Sequence, residues 1–297
     1  MKSIDFRPLR YAYHIEPYAN LLKGDAERDR YWLNIAQEIH LLQVTDVLLD
    51  LHLQTALLED KVENERARHQ LLYGATRRTR FVWDAIRDFH SIAYPKRVEP
   101  LKQNESFQLE RSLNDIYIHS RGLLDNIAWA VYYQYQPDTA ERLRPIDVDL
   151  FKLKALRKND LEWLIAVVEP FVEWQIDFKT RRDPVAHRIP LSVPPSIMTP
   201  DEAEQRQSLY DAWVKAGHGL GLAMQEKAES DVVARIQREE SDLYRALEAL
   251  GTFFPYMSID PNSSPVPLYP TVANDVGNTI EICWKILAKI QSDFIKP

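Results

Sequence analysis

The sequence predicts an all-α protein, a helical bundle of long helices with one irregular, proline-rich insertion. Three observations predict it. Apolar residues recur at intervals of three and four over most of the chain. Only 8 of the 297 residues are glycine, too few for the many tight turns of a sheet-rich fold. Proline-rich stretches separate the periodic ones and read as connectors within one unit. A single helical domain over 1–297 is expected, with N-terminal helices in 1–104, a core in 105–190, an insertion in 191–250, and a loop and closing helix in 251–297.

The elements follow in order. From about Asp25 to Asp60, residues Trp32, Ile35, Ile39, Leu42, Val44, Val47, Leu48 and Leu51 carry a helical period. Lys61 to about Ala93 continues as a more charged helix, ended by Pro95 and Pro100. Glu105 to Tyr135 is the clearest helix, with Leu109, Leu113, Ile116, Tyr117, Leu124, Ile127 and Val131 on one stripe and Pro137 as its stop. A linker leads to a helix starting near Asp160. That helix carries Leu161, Leu164, Ile165, Val168, Phe171, Val172 and Ile176, is kinked at Pro170, and ends near Arg182.

Beyond His187, "HRIPLSVPPSIMTP" reads as extended chain. Thr199 caps the next helix, with Pro200 as its first residue. "GHGLG", Gly217 to Gly221, is expected to interrupt that helix. Asp231 to about Leu250 is helical again. Val272, Val276, Ile280, Cys283, Trp284, Leu287 and Ile290 then form the stripe of a closing helix.

Composition narrows the function. A net charge of −7 argues against a protein that mainly wraps nucleic acid. The charge is uneven, with 12 basic and 8 acidic side chains from Lys61 to Arg121. A solvated helix face is the simpler reading of most of it. One cysteine, Cys283, forms no internal disulfide and no multi-cysteine zinc site. It suggests a reducing, cytoplasmic setting. No signal peptide is visible, and the longest uninterrupted apolar run, Trp163 to Val168, is too short to cross a bilayer, so no membrane role is expected.

Several constellations are set aside. Asp46 with Asp50, and Glu65 with His69, are isolated pairs better read as solvated faces, and no metal or cofactor is expected. "GHGLG" lacks the strand and lysine of a phosphate loop. The seven Trp are read as core, none in a basic-aromatic pattern suited to a single strand. His119, Asp115, Asp125 and Asn126 are polar positions of the Glu105–Tyr135 helix that could serve an enzyme of another class, with core hydrogen bonding the plainer role.

The stretch "TRRDPVAHRIP", Thr180 to Pro190, holds the remaining chemistry. Arg182 and His187 lie five apart, about 140° round an unbroken helix. They converge only if the helix breaks. Asp183 before Pro184 suggests that break, with Asp183 as N-cap of a second short helix. His187 then sits at a helix N-terminus, whose field favours phosphate and a neutral imidazole. Such a pair suits metal-free RNA cleavage. His187 moves the 2′-OH proton, and Arg182 stabilises the phosphorane.

"RDPVAH", Arg182 to His187, preceded by the amphipathic helix "LERSLNDIYIHSRGLLDNIAWAVYY", resembles the Arg-x4–6-His signature of the HEPN superfamily. Arg7 with His14, and Arg181 with His187, match the same loose pattern. The resemblance covers roughly Glu105 to Pro190, and Pro184 departs from the family's usual spelling. It implies an all-α HEPN-like bundle, often a metal-independent endoribonuclease of toxin–antitoxin or defence systems and sometimes a non-catalytic module. It implies catalytic roles for Arg182, Asp183 and His187, and a homodimer whose cleft takes one motif from each copy. Arg181 and Arg188 are the expected RNA contacts, with an antitoxin or other protein as a further partner.

Overall fold

The computed structural model describes residues 26–59, 61–187, 190–260 and 264–294. Helices dominate it, as the apolar periodicity requires. We number them α1 (Ala26–Glu59), α2 (Glu65–His69), α3 (Thr76–Ile92), α4 (Gln103–Tyr135), α5 (Pro137–Ala140), α6 (Leu153–Lys158), α7 (Glu162–Val168), α8 (Val172–His187), α9 (Pro200–Gln225), α10 (Ser230–Glu248) and α11 (Leu268–Phe294). The two short strands β1 (Tyr256–Met257) and β2 (Val266–Pro267) pair with each other.

The chain forms two compact units. One comprises Met1–Pro95, Leu109–Ser192 and Met257–Pro297, and the other Lys96–Gln108 and Val193–Tyr256. The insertion expected at 191–250 makes up most of the second.

In the larger unit, α1 packs on α3 and α11. The stripes expected for α4 and α11 are buried throughout, from Leu109 to Val131 and from Val272 to Ile290. Along α1 the buried side is Leu41, Val44, Val47, Leu48, Leu51 and Leu58, while Ile39, Leu42, Leu49, Leu53 and Leu57 are exposed. The helix is therefore apolar on both sides. Leu33–Leu58 is long and apolar enough, by length and composition, to cross a membrane. The uninterrupted-run criterion misses it because polar residues, singly and in pairs such as Gln37-Glu38, divide the stretch.

Between α2 and α3 the chain takes a π-helical turn, Gln70–Ala75. Its Gly74 lies where a Cβ would come within 2.5 Å of the Asn126 side chain. Pro170, expected to kink one helix, divides it in two. It sits in a 3-10 turn, Glu169–Phe171, that separates α7 from α8.

Two expected breaks are absent. Helix α8 runs unbroken from Val172 to His187 with Pro184 inside it. No second helix starts at Pro184, and Asp183 is not an N-cap. Pro184 is buried, so packing offsets the local cost of about 3 kcal/mol for an interior proline. Likewise α9 passes through Gly217–Gly221 without interruption.

In the smaller unit α9 and α10 pack against each other as a hairpin. Thr199 caps α9 in a reciprocal box with Glu202. Trp213 donates to Glu240 at 2.7 Å and joins Tyr210 and Tyr244 in a row of rings.

Candidate functional site at the end of helix α8

The two neighbouring arginines of α8 have opposite fates. Arg181 points into the bundle, 9% exposed. Its Nε and Nη2 donate to the two carboxylate oxygens of Asp275 at 2.7 and 2.8 Å. Trp174 Nε1 donates to the same carboxylate at 2.9 Å, and Tyr117 Oη donates to it at 2.9 Å. Thus α4, α8 and α11 meet on one buried side chain. Burial pushes the Asp275 carboxyl up, while the donors from Arg181, Trp174 and Tyr117 act in the opposite direction. Burial and the Asp275 charge together push the Tyr117 hydroxyl well up, so it stays a donor. Arg181, expected to grip RNA, is instead committed to the core, because its guanidinium is held by a fully buried acid.

Arg182 follows by one residue, about 100° further round the helix, and is only partly covered. Its Nη1 donates to Asp183 Oδ1 at 2.9 Å. Both line a cavity of about 420 Å³ together with Lys179, Arg121 and Asp149. A second cavity of about 640 Å³ lies along the same helix and shares Lys179 and Asp183 with the first. Arg121 is held by Asp125 and Asp149, each at 2.8 Å. Burial pushes the Asp125 carboxyl up against the pull of Arg121. Lys179 is exposed and has no ion pair among the described residues. Lys179 and Arg182, three apart on one helix, are thus neighbouring positive groups at one cavity.

The α8 backbone reaches His187, but the His187 side chain and all of Arg188 lie outside the described residues. Continuity of the helix changes what position 187 can do. It stays about 140° from Arg182 and shares a face with Asp183, four residues earlier. It also lies at a helix C-terminus rather than an N-terminus. The helix field there favours cations, so an anion at this end would find positive charge only on side chains. Lys179 supplies such a charge and is absent from the residues expected of the sequence. Its signal was its position, one helical turn before Arg182.

Two of the polar positions of α4 meet the π turn and α3. Asn126 donates to Gln70 at 2.8 Å. His119 Nδ1 lies 2.9 Å from Arg78 Nη1, with the Phe81 ring at 4.7 Å and tilted by 36°. Burial and, second, the Arg78 charge push the imidazole pKa down, against Asp115. A neutral His119 accepts from Arg78. Asp125 faces Arg121 instead, so the four do not gather into one site.

No family model, curated protein or solved structure matches this chain.

This geometry has two measurable outcomes. Asp275→Ala leaves Arg181 buried and unpaired and should cost about 3–5 kcal/mol in urea unfolding, whereas Arg181→Met with Asp275→Leu should recover much of that loss. His119 binds its proton less readily folded than unfolded, so its contribution to stability is present above the unfolded pKa and lost as pH falls through the folded one. Urea midpoints should therefore fall between about pH 7.5 and 5.5 by less in His119→Gln than in wild type. Equal losses would contradict the assignment.

Proposed function

We propose that the protein is a metal-independent endoribonuclease of the HEPN type, acting as a homodimer in a toxin–antitoxin or defence setting. The observation that carries this reading is the sorting of the two arginines. Arg181 also fits the Arg-x4–6-His pattern, but it is locked to Asp275. Arg182 faces a cavity beside a free Lys179, which leaves Arg182 and His187 as the working pair of the motif.

The chemistry needs no external nucleophile. The 2′-OH attacks its own phosphate, His187 accepts that proton or protonates the leaving 5′ oxygen, and Arg182 with Lys179 offsets the phosphorane charge. Asp183, paired with Arg182, orients its guanidinium. Because Arg182 and His187 occupy different faces of one continuous helix, the reacting phosphate is bounded by residues of two copies. The exposed stripe Ile39, Leu42, Leu49, Leu53 and Leu57 on α1 is the kind of apolar surface a second copy covers.

The same divergence supports a second reading, a non-catalytic HEPN-like module that binds RNA or a protein partner. The two separate cleanly. Purified protein in EDTA should cut single-stranded RNA and leave 2′,3′-cyclic phosphate ends. His187→Ala and Arg182→Ala should each lower the rate by about 10²-fold or more with unchanged thermal unfolding. Cleavage by His187→Ala at the wild-type rate would remove the nuclease reading. Absence of any cleavage alongside intact RNA binding would favour the module.

A further inference from the structure

We propose that the outer face of the α2–π–α3 segment is a binding surface for single-stranded RNA. The choice of RNA rests on the ribonuclease reading, while the surface itself rests on its charge, its spacing and its exposed rings. Between Arg66 and Arg87 there are six arginines and one acid, Asp84, in a chain of net charge −7, with Glu65 and Asp88 just beyond the two ends. Arg66 pairs with Glu141, Arg68 donates to the Val62 carbonyl and Arg78 turns inward, which leaves Arg77, Arg80 and Arg87 as the outward cations. So strong a local excess needs a reason that general solubility does not supply.

The charges are arranged, not scattered. Positions 66, 69, 73, 77, 80, 84 and 87 recur at three and four and form one stripe. Two successive steps of four fall at the π turn, Gln70–Ala75, whose wider turn accommodates them. Along about 30 Å of helix, this stripe and its flanks present cations alternating with rings. Arg77 lies over Tyr73 at 5.2 Å, and Arg80 and Arg87 lie over Trp83 at 4.4 and 4.5 Å. Trp83 is thus not the simple core residue that its sequence position suggests. Arg77 and Arg87 carry no ion pair among the described residues, and the Arg80–Asp84 pair is about half exposed, hence weak.

The rings supply what a purely basic patch lacks. Tyr73 is 51% and Phe81 49% exposed. His69 lies against Tyr73 at 4.9 Å and His119 against Phe81 at 4.7 Å, so each ring offers unstacked bases only its solvent side. A duplex hides its bases and could use only the charges. The segment is also rigid from behind. Gly74 seats the Asn126 side chain, and Gly122 seats the inward-turned Arg78 guanidinium, each within 2.5 Å of where a Cβ would stand. The cation–ring contacts hold the outer guanidinium groups in place before any ligand arrives, which lowers the ordering cost of binding.

The test uses the full chain and a fluorescent 2′-O-methyl oligouridine, which lacks the attacking hydroxyl. Anisotropy should show saturable binding, with log K falling against log salt at a slope of about −2, the value for three phosphate contacts. Arg77→Glu with Arg87→Glu should weaken binding by about ten-fold or more and flatten that slope. Tyr73→Ala with Phe81→Ala should weaken it about ten-fold at an unchanged slope. Thermal unfolding checks each variant, and Arg77→Gln with Arg87→Gln replaces the reversal if it unfolds. Unchanged affinity in the arginine variants overturns the proposal. So does equal competition by duplex RNA, or a loss confined to phosphatidylserine vesicles or to an acidic peptide. Because the probe cannot be cut and His187→Ala should still bind it, failure of the nuclease reading leaves this result standing.

Discussion

The arrangement turns on the buried ion pair between Arg181 and Asp275. A carboxylate inside an apolar bundle is costly, and this one is tolerated because Arg181, Trp174 and Tyr117 all donate to it. The geometric consequence exceeds the energetic one. Helix α8 is fixed in azimuth as well as in place, since only one rotation brings the Arg181 fork onto both carboxylate oxygens. With that rotation set, Arg182 and Lys179 fall on the cavity side. Had Asp275 met Arg182 instead, the cavity-lining arginine and the buried one would exchange roles.

The continuous helix gives this constraint its functional meaning. A break at Pro184 is the simplest way for one chain to aim Arg182 and His187 at a common point. Without it, positions 182 and 187 leave the helix about 140° apart, and an anion near the helix C-terminus would find positive charge only on side chains. Positive charge is concentrated on the α2–π–α3 segment of the same unit, against the negative sign of the whole chain. Rings steady the arginines there, and two close glycine-seated contacts secure the segment from within.

Much of the fold was legible in the sequence because it follows local rules. The stripes of α4 and α11, the turn at Pro170 and the Thr199 cap each depend on spacing or on one residue's chemistry. What was not legible depends on tertiary partners. Pro184 and the glycines of α9 are helix breakers by propensity, yet both helices run through them, with Pro184 buried and α9 packed along α10. The face of α1 is misleading at Ile39 and Leu42, since a helix apolar on both sides has no unique period to read. Arg181 and Arg182 are indistinguishable as letters. The clue was Asp275, a lone acid three residues after Val272 on an otherwise apolar stripe, which demands a buried cation. The π turn has no comparable signal, and without it the arginine stripe reads as solvated charge.

The most direct test is the urea stability of Arg181→Met and Arg182→Met measured side by side. The buried pair predicts a loss of about 3–5 kcal/mol for Arg181→Met, and a change within about 0.5 kcal/mol for Arg182→Met, whose partner remains partly solvated. Equal losses, or a larger one at Arg182, would contradict the division of the two arginines on which the site is built.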